Sequence, residues 1–322
     1  LKTLKTILGL TLLVALGLLI LNMTDVAQSL ELKKMTLQQE KHLNQQNSVS
    51  LKELIPTIAS AKEMQSLSGD LRSKEIRCFV YSTCSNADYN KALSTASNIL
   101  KNNKSLLAKF QQEISNINAV SLPFDASFKD NLFFRFDSFL QLQMIEINYL
   151  FSRTNEDRSF TNEALLKAQT FDSFLLKSLY HPNFNLTSMM MLRRLKHLRV
   201  SLQKYSPNRL KMKKVDAEKI IQSVQTGEFI AFSNHLDKII EKRKGPFISI
   251  NRTLNQYVAI NNKNAKDDCV YNSKKVFCVV TKVNSLSLIN PVGKQLLKNI
   301  ATSSLHYKKF VAAANKINNL NL

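Results

Sequence analysis

Residues 128–152 read FKDNLFFRFDSFLQLQMIEINYLFS, and this stretch decides the fold. Phe133, Phe136, Leu140, Met144, Ile147 and Phe151 recur at steps of three and four, which is one continuous helical stripe. Leu132, Phe139, Leu142, Ile145 and Tyr149 widen it until little polar surface is left. A helix apolar nearly all round belongs inside a bundle, because every face needs a partner. Two uses follow from the phenylalanines: core packing, or a groove for a lipid or other apolar ligand.

Outward from this helix the chain stays helical. Before it, ADYNKALSTASNIL and KSLLAKFQQEISNI within residues 86–118 read as two helices parted near Asn102 and Asn103, the first capped by Ser85 or Asn86. SLPFDAS around Pro123 reads as a loop. After it come helices over 161–179 and about 186–205. VDAEKIIQSVQ and EFIAFSNHLDKIIEKRK then predict two helices punctuated by Gly227. A turn near 250–260, a helix from Asn290-Pro291 and a last helix over about 303–319 complete the series. Glycine and proline number six each, too few for the tight turns of a many-stranded β architecture.

At the other end of the chain, Thr6–Thr24 is TILGLTLLVALGLLILNMT, nineteen residues without a charge, preceded by Lys2 and Lys5. As a helix it would reach about 28 Å, close to the hydrocarbon thickness of a bilayer. No good small-x-small cleavage site follows, because Asp25 falls where a small residue is wanted if Ala27 ends the signal. The expectation is an uncleaved signal-anchor with the lysines on the cytoplasmic side and the body exported to the periplasm or cell exterior, as at a bacterial inner membrane. Residues 25–68 read as a helical, membrane-proximal stalk, and 69–322 as the exported domain. The expected fold class is therefore mainly α: a transmembrane helix at residues 1–24, then a bundle-like multi-helix domain carrying one small disulfide-linked β-hairpin.

That hairpin rests on the four cysteines, which fall into two local pairs, Cys78 with Cys84 and Cys269 with Cys278. An even count in an exported chain points to disulfides. In CVYNSKKVFC a two-residue turn at Ser273-Lys274 sets Cys269 opposite Cys278, close enough for a bridge. The first pair closes a small loop before a helix, flanked by IRCFVY, which reads as a short strand. Neither spacing is the CxxC of a zinc site, and no metal or other cofactor is implied.

The formal net charge is +21, which bears on partners more than on fold. Helix 186–205, LTSMMMLRRLKHLRVSLQKY, buries a stripe of Met191, Leu195, Leu198 and Leu202. At about 100° per residue, Arg193, His197 and Lys204 lie opposite, with Arg194 nearer the flank. Lys211 follows soon after. These five residues are the candidate anion-binding set, and an amphipathic basic helix of this kind suits an acidic surface. Anionic lipid, an envelope polymer and envelope proteins are the expected partners; the exported location argues against nucleic acid.

No catalytic constellation stands out. HExxH, GxSxG, the P-loop and GxGxxG are all missing, and so few glycines leave little room for phosphate cradles or nucleophile elbows. Ser201 and Lys204 match SxxK, but neither SDN nor KTG follows. The five histidines show no metal-ligand spacing. The expected role is a membrane-anchored, non-enzymatic interaction or assembly function. An enzyme acting on a cell-wall or lipid substrate and a carrier of an apolar ligand are the alternatives.

Overall fold

A computed structural model describes residues 6–17, 48–121, 132–153, 158–205, 212–242 and 307–320. The chain divides into two compact units, Leu1–His42 with Ser233–Leu305, and Leu43–Phe232 with His306–Leu322.

In the first unit, helix α1 covers residues 6–17. Ile7, Leu8, Leu10, Leu12, Leu13, Val14 and Leu16 are all more than half exposed. Thr11 satisfies its hydroxyl inside the helix by donating to the Ile7 and Leu8 carbonyls, both at 2.9 Å. Residues 18–24, the rest of the expected span, lie outside the described residues. Among the described residues no helix is long and apolar enough to cross a membrane. The expected hairpin around Cys269 and Cys278 also lies outside them, as do Lys211 and the helix expected from Asn290.

The second unit is mainly helical. Its strands β1 (Ser48–Ser50) and β2 (Ala119–Ser121) pair in parallel, Val49 opposite Val120. Between them run α2 (Leu51–Ile58), α3 (Ala61–Asp70), α4 (Lys74–Val80), α5 (Asn86–Asn102) and α6 (Lys104–Asn116). The central α7 (Leu132–Ser152), then α8 (Arg158–Leu179), α9 (Asn185–Tyr205), the part of α10 (Ala217–Lys242) up to Phe232, and α11 (Tyr307–Asn318) follow.

Serines start the early helices. Ser50 ends β1 and caps α2 through a reciprocal box with Glu53, and Ser60 does the same for α3 with Glu63. Ser85, one of the two expected residues, caps α5 by accepting from the Asp88 N–H at 3.2 Å. Residues 51–70 are core and not stalk: Leu51, Leu54, Ile58, Met64 and Leu67 are buried. IRCFVY forms most of helix α4 and not a strand. Its buried side chains Ile76, Phe79 and Val80 stand at i, i+3 and i+4, and Ser73 supplies the cap.

Helix α7 is the hub, packing against α2, α3, α4, α5, α6, α8 and α9. Phe136, Phe139, Leu142, Met144, Ile145, Ile147 and Phe151 are essentially inaccessible. Phe139 stacks on Phe110 at 5.6 Å between ring centroids, while Phe174 meets Phe110 and Phe136 edge-on at 6.3 and 6.4 Å. Helix α11 closes over α9, burying Phe310, Ala314 and Ile317. Asn318 grips the Val215 backbone at both ends, accepting from its N–H at 2.8 Å and donating to its carbonyl at 2.9 Å.

Gly227 does not break its helix. It lies inside the continuous α10 because the backbone of Asn183 crosses there; a Cβ would stand 2.6 Å from the Asn183 nitrogen. The glycine serves close approach, not chain reversal. Asn183 is itself fully buried and donates to the carbonyls of Ser178 and His181 at 3.0 and 3.2 Å, so it cannot retreat cheaply. Gly69, by contrast, is helical with nothing near its missing Cβ. Gly227→Ala is expected to destabilise by about 1–3 kcal/mol through the clash, against its gain in helix propensity. Gly69→Ala should stabilise by about 0.5–1 kcal/mol. Denaturant unfolding of the two variants checks both signs.

Candidate anion-binding face of helix α9

Helix α9 carries five basic side chains between positions 193 and 199, and the fold sorts them. Met191, Leu195, Leu198 and Leu202 are fully buried, as the stripe predicts. Arg194 and Arg199 go inward with them. Arg194 is 3% exposed and holds Asp137 of α7 through Nε at 3.0 Å and Nη2 at 2.8 Å. Arg199 is 2% exposed and holds Asp172 of α8 at 2.8 and 3.0 Å; its Nη2 also donates to the Lys213 carbonyl. Arg194 is thus corrected: it is a buried, neutralised side chain and not part of the outer cationic face.

Arg193 is exposed, Lys196 half-exposed and Lys204 exposed. No carboxylate among the described residues ion-pairs with any of the three. Arg193 and Lys204 are eleven residues apart in sequence, which returns them to within about 20° of each other over roughly 16 Å of helix. They mark the two ends of a cationic strip.

The disulfide loop lies along this strip. Cys78 and Cys84 are bridged, and closing so short a loop is worth about 2 kcal/mol in chain entropy. Within the loop Tyr81 meets α9 directly. Its ring lies 4.6 Å from the His197 ring, with the Arg193 and Arg194 guanidinium carbons 4.6 and 5.3 Å from its centroid. The aromatic face draws both cations, which gives the unbonded Nη1 of Arg194 an electrostatic partner in place of a hydrogen bond. Ser82 adopts a left-handed φ of 54°, rare for a residue with a side chain. Its hydroxyl lies 2.8 Å from that of Ser201, and Asn148 of α7 holds the preceding carbonyls of Phe79 and Val80 at 2.9 and 3.4 Å.

Ser201 is therefore sealed, fully buried and paired with Ser82. The Lys204 ammonium, its SxxK partner, lies over the Tyr205 ring at 5.1 Å. Beyond this pair, Phe79, Ser82, Cys84, Tyr89, Asn148, Lys204 and Tyr205 line a cleft with a cavity volume of about 20 Å³. Sequence reading missed this cleft entirely, because its walls come from α4, α5, α7 and α9. Among the described residues no group of three His, Cys, Asp or Glu side chains could hold a metal ion.

His197 is not a cation. Burial, then the charges of Arg193, Lys196 and Arg194, push its pKa down to about 4. Burial also lowers that of His181. Comparison with protein-family models, curated proteins and solved structures finds no match for this chain.

The depressed histidine links stability to pH. Unfolded, His197 titrates near its ordinary 6.5; folded, it resists protonation until about pH 4. The unfolded chain therefore binds the extra proton first, so stability from this group is full above about pH 6.5 and is lost as pH falls toward 4. The melting temperature is expected to drop between pH 7 and pH 5. His197→Gln should show a shallower drop, His181 supplying the rest. Equal pH slopes for wild type and variant would contradict the assignment.

Proposed function

We propose that the chain is a non-enzymatic interaction or assembly protein, held at a membrane by residues 6–24, whose body offers the α9 strip to anionic lipid headgroups or an anionic envelope polymer. The strip of Arg193, Lys196 and Lys204, without an ion-pair partner among the described residues, carries this reading. Two other cations of the same helix are neutralised by buried carboxylates, while among the described residues no carboxylate pairs with these three. Such a surface binds polyanions through charge and gives up affinity to salt.

Two observations support a membrane setting. The leucines of α1 are exposed, and a helix so apolar gains by leaving water. The Cys78–Cys84 bridge suits an oxidising compartment outside the cytoplasm. The sealed Ser201 weighs against catalysis through SxxK, and the interlocked rings around Phe136 weigh against an apolar-ligand groove.

The test uses the full chain in detergent and long-chain polyphosphate as the polyanion, with affinity read by fluorescence anisotropy. Charge reversal by Arg193→Glu and Lys196→Glu together is expected to weaken binding at least tenfold and to flatten its salt dependence. Reversal at Lys213 and Lys214, which lie off helix α9, should weaken it much less. Equal losses from both pairs would reduce the strip to general surface charge and overturn the proposal.

A further inference from the structure

His197 belongs to the cationic strip by position but not by charge. Arg193 stands one helical turn before it on the same face, and Lys196 is its neighbour in sequence. His197 is half-buried, beside an exposed Arg193 and a half-exposed Lys196. Tyr81 of the disulfide loop covers it, with 4.6 Å between ring centroids. The same tyrosine ring draws the Arg193 and Arg194 guanidinium groups.

The elements packed on α9 do little to offset this crowding of positive charge. Asp137 of α7 and Asp172 of α8 are held by the forks of Arg194 and Arg199, while Glu146 of α7 and Glu163 of α8 share Lys167. Lys309 and Lys316 of α11 are exposed, and the disulfide loop contributes the Tyr81 phenol. The charges that reach His197 are those of Arg193, Lys196 and Arg194, all positive and all on its own helix. Burial and then these charges keep the imidazole neutral down to about pH 4. His181, lowered by burial alone, lies outside α9.

A polyanion docked on Arg193 and Lys196 reverses that local field. It offsets the outer cations that oppose protonation, and it brings anionic oxygens to a ring that donates from both nitrogens once charged. Building on the α9 strip as a polyanion site, we propose that docking drives proton uptake at His197, which turns three outer cations into four and tightens the grip as pH falls. The bound strip holds the proton at a pH where the free strip does not, so affinity rises as pH falls from neutrality toward 4. Each tenfold gain in proton affinity on docking makes polyanion binding up to about tenfold tighter in acid.

Long-chain polyphosphate suits the test, because its interior phosphates stay ionised across this range. Its binding to the full chain in detergent, read by fluorescence anisotropy at constant ionic strength, is expected to tighten about fivefold or more from pH 7 to pH 5. His197→Gln should tighten less than about twofold. Calorimetry of the unsubstituted chain at pH 5.5, in two buffers of different ionisation enthalpy, should show proton uptake on binding, a readout that needs no variant. Equal tightening in wild type and His197→Gln, or binding without proton uptake, overturns the coupling and leaves the strip standing. Failure of the strip itself looks different: no binding at either pH, or affinity indifferent to Arg193→Glu with Lys196→Glu, overturns both.

Discussion

Two guanidinium groups that cannot remain unpaired inside the protein set the arrangement of the second unit. A buried ion costs several kcal/mol unless a partner and further hydrogen bonds offset the loss of water. Arg194 finds Asp137 on α7 and Arg199 finds Asp172 on α8. Each pair is a directional constraint, because the planar fork of arginine matches a carboxylate only over a narrow range of approach. Apolar stripes alone would let α9 slide or rotate against its neighbours at modest cost. With both forks engaged, α9 has one rotation about its axis, and the side chains left outside follow from it. The cationic strip is in this sense a consequence of two pairs that lie on the opposite side of the helix.

The forks act on a scaffold that α7 holds together. Seven other helices touch it, so its burial does not belong to any single interface. Aromatic side chains let it serve so many neighbours at once. Phe139 meets α6, Phe136 meets α8, and Phe151 stacks on Tyr205 at the end of α9, 5.2 Å between centroids. Polar positions on the same helix are used as connectors. Asn148 reaches the end of α4, and Glu146 takes Lys167 of α8 at 2.8 Å. The disulfide loop is thus tethered to the hub through its preceding carbonyls, and to α9 through Tyr81 and Ser82.

Sequence periodicity made the helices legible, because burial on one side of a 3.6-residue repeat leaves a pattern in one chain. It located α5 to α9 and the apolar all-round character of α7. It failed where local spacing was ambiguous or where the reason lay elsewhere in the chain. IRCFVY is short and β-branched enough to read as strand, yet Ile76, Phe79 and Val80 already carry the helical interval. Gly227 looked like punctuation because the crossing backbone of Asn183 is 44 residues away in sequence. The stalk reading of residues 51–68 gave too little weight to Leu51, Leu54 and Ile58, which are spaced for one buried face.

Arg194 is the instructive case, since its burial was readable. It stands three residues after Met191 and four before Leu198, so its neighbours along the helix are the apolar stripe. Arg199 stands in the same way between Leu195 and Leu202. A charge on an apolar stripe demands an opposite charge on another stripe. Asp172 supplies one, flanked by Ala168 and Leu175, and Asp137 the other, flanked by Leu140. Two misplaced cations and two misplaced anions predict two buried pairs, although not which joins which. The cleft had no such trace. Its polar groups come from three helices and the disulfide loop, and none breaks the pattern of its own element strongly enough to mark it. What reveals the cleft is the cavity of about 20 Å³ left between those elements, a space that exists only once the chain is folded. Following the walls of the folded chain therefore finds a cleft that reading residues along it does not.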